Sequence, residues 1–247
     1  MKKLINTKII DNIEVAENIY KLVVEAEMDA KPGQFIQVRL TSNEFTLRRP
    51  FGIASNKSNH LTMFYRVVGR GTEFLTSVKA GTVINLLGPL GNGFNITGNK
   101  ILLVGGGLGL APLLFAASES KSADVLIGGK NADEADFWAA EFKNPVDNLY
   151  IATDDGSVGT PGFVTELLPE VLKGNKYDVI LTCGPEIMMR RVAELAKENN
   201  IPCQVSLEKR MGCGLGACLS CSIDTIHGRR KICKDGPIFN AEEVFYV

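Results

Sequence analysis

The strongest constraint on the fold of this chain is a series of four apolar, β-branched runs that alternate with helical segments. The runs are ILLVGGG, ADVLIGG, NLYIATDDG and YDVILTCGP, and the helical candidates are APLLFAASES, GFVTELLPEVLK and EIMMRRVAELAKEN. Unbroken apolar strands that alternate with helices are typical of a parallel sheet covered by helices on both faces. The sequence therefore predicts an α/β domain of the nucleotide-binding kind over residues 99–203.

The part of the chain before residue 99 consists instead of short β-rich runs separated by turns. These runs are KLVVEAE, GQFIQVRL, LRRPFGIAS, HLTMFYRVV and TVINLLG, with Lys-Pro-Gly, Asn-Lys-Ser-Asn and Lys-Ala-Gly among the turns between them. One short helix, GTEFLTSVK, interrupts the series. Several short strands with such punctuation predict a small, closed or nearly closed antiparallel β-barrel over residues 1–98.

Residues 204–247 are rich in glycine and cysteine, and we expect loops to dominate there. A segment of this length has too little core to hold itself without help. All six cysteines fall in the last 65 residues of the chain: Cys183, Cys203, Cys213, Cys218, Cys221 and Cys233. Because a disulfide framework is typical of small secreted scaffolds, which this chain does not resemble, the clustered cysteines indicate a metal centre.

The cysteine spacing is Cys-x4-Cys-x2-Cys followed by a more distant fourth cysteine, over Cys213, Cys218, Cys221 and Cys233. This is the plant-type pattern of a [2Fe–2S] cluster. Interspersed glycines suit a loop that wraps around a cluster, because such a loop needs unusual φ angles and backbone N–H groups near sulfur. We therefore predict these four cysteines as cluster ligands.

Structural zinc is the alternative interpretation of the same cysteines. Zinc sites usually contain two close cysteine pairs, whereas the fourth cysteine here has no close partner in the sequence. A Rieske centre would need two histidine ligands, and the chain has only His60 and His227, neither in a suitable Cys-x-His pairing. The spacing favours [2Fe–2S] over zinc without excluding zinc.

Composition and charge exclude several classes of protein. A formal net charge of −1 with scattered lysine and arginine gives no basic patch for nucleic acid. The N-terminus forms no signal-peptide core, so we expect a cytoplasmic protein. The longest apolar run, residues 101–117, is slightly short for a membrane span, and its glycines and proline suit a buried strand, turn and helix better.

A glycine-rich turn follows the first strand of the α/β domain. The stretch VGGGLGLAP supplies Gly105, Gly106, Gly107 and Gly109 between a strand and a helix, where backbone N–H groups can bind a pyrophosphate. The spacing departs from the strict dinucleotide fingerprint, so a tight strand-to-helix turn is an alternative. TDDGSVG and CGPEIMM follow later strands at the same sheet edge, where ligands of such sheets bind.

Two stretches of the predicted barrel have the composition of a ligand site. RRPFGIAS places cations beside an aromatic residue that could cover a flat ring, and GRGTEFL offers glycines and a threonine before a helix, which suits an anion. A surface arginine pair and a capped helix explain the same residues equally well.

Taken together, these motifs resemble the ferredoxin-NADP reductase superfamily. Within it, GPLGNGF, TDDGSVG, CGPEIMM, SLEKRMGCGLGACLSC and CKDGPIF are similar to the electron-transfer subunits of NAD-dependent (type B) dihydroorotate dehydrogenase. The resemblance runs over nearly the whole chain. It implies an FAD-binding barrel, an NAD-binding α/β domain and a terminal [2Fe–2S] domain.

The resemblance also implies roles for individual residues. It places the flavin-contacting motif and the neighbouring strand and phosphate loop at Arg49, Pro50, Phe51, Gly52, Arg66, Val67, Val68, Gly71 and Thr72. Gly52 departs from the serine or threonine usual in the family, which puts one hydroxyl contact to the flavin in doubt. Cys183 lies near the place where nicotinamide meets flavin in the superfamily, and its alternative role is that of a small buried residue at a strand end.

The function implied by the resemblance is electron transfer in pyrimidine biosynthesis. Electrons would pass from the FMN of a partner dihydroorotate dehydrogenase catalytic subunit through the cluster and FAD to NAD, in a heterotetramer of two plus two subunits. The alternatives are a flavin and iron-sulfur subunit of a sulfide dehydrogenase, a bifurcating transhydrogenase or a hydrogenase, and a zinc-binding regulatory module. The preference for NAD over NADP comes from the resemblance alone.

Overall fold

The N-terminal part of the chain folds into a closed six-stranded barrel, as predicted. A computed structural model describes residues 2–42 and 44–245 of the protein. The antiparallel strand order is β1-β2-β5-β4-β3-β6, closed between β6 and β1. The strands are β1 (Lys3–Ala16), β2 (Ile19–Glu25), β3 (Phe35–Arg39), β4 (Arg49–Lys57), β5 (His60–Arg66) and β6 (Val83–Leu90).

Strand β1 closes the barrel, and the sequence patterns above do not predict it. Its first half pairs with β6 and its second half with β2. Only Thr7 and Ile9 of this strand are buried, so the alternation of apolar and polar side chains that marks a half-buried strand is weak. Because the closure depends on pairing to two distant strands, tertiary contacts decide the conformation of β1.

The predicted short helix and the polar turns lie between the barrel strands. Helix α1 spans Arg70–Thr76 and separates β5 from β6.

Ile36 and Val38 of β3 are fully buried and belong to the hydrophobic cluster inside the barrel. Since side chains alternate along a strand, Phe35 and Gln37 lie on the other face of β3, toward the rest of the molecule.

The second half of the chain forms a seven-stranded sheet in the order β10-β9-β8-β7-β11-β12-β15. All neighbouring strands are parallel except the last pair. The strands are β7 (Ile101–Gly106), β8 (Ala123–Gly129), β9 (Asn148–Thr153), β10 (Thr160–Pro161), β11 (Val179–Cys183), β12 (Cys203–Ser206) and β15 (Ile238–Asn240). The structure confirms the predicted α/β domain and its parallel strands.

Four helices cover this sheet, one more than the sequence patterns name. They are α2 (Leu110–Glu119), α3 (Ala132–Phe142), α4 (Val164–Gly174) and α5 (Glu186–Glu198), and α2 follows a short 3₁₀ turn. Helix α3 is the addition. Asn131 marks its start, because its side-chain oxygen accepts a hydrogen bond from the Glu134 N–H at 3.2 Å.

The C-terminal segment is more ordered than expected and returns to the sheet. It contains the hairpin of β13 (Ser222–Thr225) and β14 (Gly228–Lys231), the short helices α6 (Ile232–Asp235) and α7 (Ala241–Phe245), and β15. Strand β15 pairs antiparallel with β12. Asn92, just after the barrel, exchanges two hydrogen bonds with Ile238 at 2.8 and 2.9 Å. The segment therefore shares the core of the sheet instead of standing alone.

The predicted division into 1–98, 99–203 and 204–247 stays a prediction. Strand β12 begins at Cys203 and ends at Ser206, so the last predicted boundary falls inside a strand of the sheet. Among the helices within residues 2–42 and 44–245, none is both long and apolar enough to cross a membrane.

Candidate functional site

A cleft of about 430 Å³ lies where the barrel, the sheet and the C-terminal segment meet. Its walls bring together residues that are far apart in the sequence. Nine of the predicted site residues line it: Arg49, Pro50, Phe51, Gly52, Arg66, Val68, Thr72, Gly109 and Cys183. Clefts of this size between domains are the usual place for a cofactor.

Other predicted site residues lie behind the walls of the cleft or beyond it. Val67, Gly71, Gly105, Gly106 and Gly107 are not among its lining residues. The four cluster cysteines also lie outside it. The segment that precedes Cys213 does line the cleft. One wall of the cleft consists of Ser206, Leu207, Glu208, Lys209 and Met211. In the sequence SLEKRMG is only a family signature, whereas in the structure five of its seven residues line the cleft.

The guanidinium of Arg49 lies directly against Gly71. A Cβ atom built on Gly71 would stand 2.5 Å from Arg49 Nη2, so a larger residue at this position would displace the arginine. Arg49 also stacks over the ring of Phe45, with Cζ 5.5 Å from the ring centroid. Arg49 of the first barrel motif therefore lies next to Gly71 at the start of α1, in the second motif. The two motifs together form one positively charged part of the cleft wall.

The hydroxyl of Thr72 holds the loop before α1 rather than pointing freely into the cleft. It donates to the Gly69 carbonyl at 3.0 Å and accepts from the Val68 N–H at 3.0 Å. The side chain is thus committed to the turn that precedes the helix. Its contribution to an anion site is to shape the backbone, which is a narrower role than the sequence motif indicates.

Gly52 faces α2 across the cleft. A Cβ built on Gly52 would meet Pro112 at 3.7 Å, which is an ordinary van der Waals distance. Space for a Cβ atom therefore does not require glycine here. The departure from the family pattern removes a hydroxyl without being forced by packing.

The glycines of the turn after β7 have two different roles. A Cβ on Gly105 would stand 2.5 Å from the Leu110 side chain, and one on Gly109 would stand 2.2 Å from the Cys183 carbonyl oxygen. These two glycines allow the helix to pack closely on the sheet. Gly107 has φ +57° and its nearest atoms, on Glu134 and Arg66, lie 3.6 Å or farther away. Only the tip of the turn is open for a ligand.

An ion pair joins the barrel to the sheet at this tip. Arg66 at the end of β5 pairs with Glu134 in the first turn of α3. The side chain of Arg66 is 35% exposed and that of Glu134 is 11% exposed, so water reaches the arginine more than the carboxylate. Arg66 therefore connects the flavin-type motif of the barrel with the glycine-rich turn of the α/β domain.

Cys183 ends β11 at the floor of the cleft. Burial, followed by the charge of Glu208, raises the pKa of its thiol to about 12. The thiol is therefore neutral at physiological pH. Its place in the cleft agrees with a contact to a bound ring, and a neutral thiol is a poor nucleophile.

The four C-terminal cysteines lie as two pairs. The backbone N–H of Cys213 contacts Cys218 Sγ at 3.4 Å, and the N–H of Cys218 contacts Cys213 Sγ at 3.4 Å. The N–H of Cys233 contacts Cys221 Sγ at 3.5 Å. Within the part of the chain that the structure describes, no three His, Cys, Asp or Glu side chains surround a single point suited to one metal ion.

The two pairs differ in environment. Cys218 is exposed, whereas Cys221 and Cys233 are buried. The Ser220 hydroxyl and N–H lower the pKa of Cys218 to about 6. Burial and the neighbouring Cys221 sulfur raise the pKa of Cys233 to about 12.

This donor set fits a binuclear iron-sulfur centre better than it fits zinc. A [2Fe–2S] cluster with four cysteine ligands has two irons, so two pairs of thiolates suit it, whereas structural zinc needs four ligands around one ion. The Leu215 N–H also contacts Cys213 Sγ, at 3.3 Å. N–H groups that point at the sulfurs are what such a cluster uses.

Comparisons with known proteins agree with this geometry. The family described as "Iron-sulfur cluster binding domain of dihydroorotate dehydrogenase B" matches residues 208–245. The dihydroorotate dehydrogenase B (NAD(+)), electron transfer subunit, of Clostridium acetobutylicum is 41% identical over 96% of this chain and 95% of its own. The probable subunit of the same name from Methanocaldococcus jannaschii is 38% identical, covering all of this chain and 93% of its own.

Solved structures show the same fold. A chain of an NADH-dependent reduced ferredoxin-NADP oxidoreductase, studied for flavin-based electron bifurcation, superposes with a TM-score of 0.85 at 31% identity, covering 96% of this chain and 89% of its own. A ferredoxin-NADP⁺ reductase from Neisseria gonorrhoeae superposes with a TM-score of 0.65 at 16% identity, covering 79% and 91%. The second likeness concerns the fold alone.

Proposed function

Because the chain belongs to the family of electron-transfer subunits of dihydroorotate dehydrogenase B, we propose that it passes electrons from the FMN of a catalytic partner subunit through [2Fe–2S] and FAD to NAD in pyrimidine biosynthesis. The observation that supports this most directly is the shared cleft. One wall carries the flavin-type motif, the floor carries Cys183, and another wall leads within two residues to Cys213.

The barrel residues that line the cleft are proposed to hold FAD. Phe51 and Gly52 of β4 would face the ring, and Arg49 at Gly71 would bind the phosphates. When bound, FAD exchanges electrons singly with an iron-sulfur cluster and in pairs, as a hydride, with a nicotinamide. Arg66, paired with Glu134, would orient the ring and keep the two domains in register.

The cysteine pairs are proposed to hold the cluster, Cys213 with Cys218 on one iron and Cys221 with Cys233 on the other. Two N–H groups, of Leu215 and Cys218, point at Cys213 Sγ and would stabilise its thiolate. The buried pair is anchored in the core of the sheet, which fixes the cluster relative to the cleft.

The nicotinamide is proposed to enter over Cys183, with the pyrophosphate at the turn of Gly106 and Gly107. Cys183, a neutral thiol at the floor, would pack against the ring and exclude water rather than react. Gly105 and Gly109 would act indirectly, by letting α2 approach the sheet.

The exposed face around the cysteine loop is proposed as the docking surface for the catalytic subunit. Leu215 and Leu219 are 47% and 59% exposed beside the exposed Cys218. Apolar side chains around a redox centre suit a partner that must approach closely. The proposed assembly contains two catalytic and two electron-transfer subunits.

The experiment that tests this function compares the purified chain with the co-expressed complex. Alone, the chain is expected to oxidise NADH with an artificial electron acceptor, but not to oxidise dihydroorotate. Together with a dihydroorotate dehydrogenase catalytic subunit, it should support dihydroorotate-dependent reduction of NAD. Reduction of NAD by dihydroorotate without the partner, or failure of NADH to reduce the flavin, would contradict the proposal.

A second candidate function is that of a subunit in a bifurcating oxidoreductase. The observation that favours it is the TM-score of 0.85 and 31% identity to a chain of the bifurcating ferredoxin-NADP oxidoreductase. Both functions use the same cleft and cluster, so the partner distinguishes them. Co-purification with a ferredoxin-dependent flavoprotein, and not with a dihydroorotate dehydrogenase catalytic chain, would select the second function.

A further inference from the structure

Gln37 carries a buried side-chain amide at the junction of the barrel and the cysteine loop. Its side chain is fully buried. Among the described residues, neither Nε2 nor Oε1 of Gln37 has a partner. Leaving a buried amide unpaired destabilises a fold, so such a group in a native protein needs a reason.

The amide lies directly against the cysteine loop. Gly214, between Cys213 and Cys218, has φ +70°, and a Cβ built on it would stand 2.5 Å from Gln37 Nε2 and 2.9 Å from Oε1. Gly214 thus lets the loop backbone come down onto the amide. No side chain separates the amide from the loop at this residue.

Gln37 also adjoins the flavin-type motif. Its Cα pairs with that of Pro50 across the strands β3 and β4. On one side the residue is therefore fixed to the strand that lines the cleft, and on the other it contacts the cysteine loop. This position connects the two proposed cofactor sites.

The side-chain amides of the other glutamines of the chain are hydrogen-bonded. The chain has three glutamines. Gln34 donates to the Gly91 carbonyl at 2.8 Å, and Gln204 donates to the Asn95 carbonyl at 2.8 Å. Both also accept a backbone hydrogen bond. Gln37 differs from them in lying beside the loop that would carry iron.

We propose that Gln37 is a positioning residue of the iron-sulfur centre. Its Nε2 donates a hydrogen bond to the sulfur atoms held by the Cys213–Cys218 loop, and its packing on Gly214 sets the loop against the strand of the flavin motif. A hydrogen bond to the sulfurs of a cluster raises its reduction potential. This inference rests on the proposed cluster ligands.

The first test is a measurement on the wild-type protein. Glutamine labelled with ¹⁵N in the side-chain amide is incorporated, the anaerobically purified holoprotein is reduced, and pulsed paramagnetic resonance is recorded at the cluster signal. We expect a ¹⁵N hyperfine coupling, which disappears in Gln37→Met. A cluster signal without this coupling would overturn the inference alone, whereas the absence of iron and sulfide would overturn the proposed function with it.

The second test measures the reduction potential of the cluster by a redox titration followed by paramagnetic resonance. Gln37→Met should shift the potential to more negative values and leave the FAD content unchanged. The matched control is Thr182→Val, which also removes a buried hydrogen-bonding group that has no partner within the described residues, but in β11. Equal potentials in wild type and Gln37→Met, or an equal shift in the control, would overturn the inference.

Discussion

Two buried polar groups in this molecule have opposite surroundings. Asp124, at the amino edge of the sheet, accepts hydrogen bonds from Asn148 at 2.9 Å and Tyr177 at 2.7 Å, and pairs with Lys100 at 2.8 Å. The side-chain amide of Gln37, at the junction of the barrel and the cysteine loop, has no hydrogen-bond partner within the described chain. Both side chains are fully buried.

This difference separates a structural network from a site. A buried charge with three partners stabilises one arrangement of the strands that contribute them. A buried amide without a partner contributes nothing to the fold by hydrogen bonding. The edge of the sheet that carries Asp124 is opposite to the cleft, whereas Gln37 adjoins both proposed cofactor sites.

The largest expected effect is that of Asp124→Ala. It leaves Lys100 and Tyr177 without their acceptor, and breaking a buried pair costs about 3–5 kcal/mol. We expect about 3 kcal/mol, at the lower end, because water reaches the 28% exposed Lys100 side chain. Denaturant unfolding measures the change. Glu170→Ala, which removes an exposed pair with Lys173, is the control and should cost less than about 1 kcal/mol.

The next largest effect separates the buried Cys233 from the exposed Cys218. Cys218→Ser and Cys233→Ser should both lose the absorbance and paramagnetic signal of the cluster while FAD largely remains. Cys233 is buried, so its serine hydroxyl also loses hydration, which should destabilise Cys233→Ser by about 1–3 kcal/mol relative to Cys218→Ser. Equal unfolding free energies of Cys218→Ser and Cys233→Ser would contradict the difference in burial between the two cysteines.

A smaller effect is the acid sensitivity of the Asp124 network. Burial works to raise the pKa of Asp124, but hydrogen bonds from Lys100, Tyr177 and Asn148 outweigh it, so this pKa lies below its ordinary value. The network therefore stabilises the fold above the unfolded pKa of about 3.9 and loses this contribution as the pH falls through the folded pKa.

Comparison of wild type with Asp124→Asn checks the sign of this effect, because acid effects on the rest of the protein cancel. The unfolding free energy of the wild type minus that of Asp124→Asn should be constant near neutral pH. This difference should become smaller below about pH 4. A difference that widens in acid would show that the network does not hold an ionised carboxylate.

The smallest expected effect is that of Gln37→Met on stability. In a Cys218→Ser background, which should lack the cluster, Gln37→Met should raise the unfolding free energy by about 1 kcal/mol, because it removes a buried amide that has no hydrogen-bond partner among the described residues. A loss comparable to that of Asp124→Ala would mean that Gln37 has a structural partner after all. The expected contrast with Asp124 would then fail.

Much of the site could be predicted from sequence because its signals are local. The cysteine spacing, the glycine-rich turn and the Arg-x-aromatic motif each occupy a few consecutive residues. The contribution of the SLEKRMG stretch to the cleft wall had no local signal beyond the family resemblance. Strand β1 was not predicted, since it lacks clear alternation of apolar and polar side chains. Helix α3 was not predicted either, although Asn131 with Glu134 three residues later is a local start signal that could have found it.

The sequence by itself determined the parallel sheet, the short barrel strands and the spacing of the proposed cysteine ligands, because apolar periodicity and cysteine spacing are properties of neighbouring residues. Only the tertiary structure decided that β1 closes the barrel, that β15 returns to the sheet, and that Gln37 lies on Gly214. These contacts join residues that are distant in the chain, and burial and packing select them.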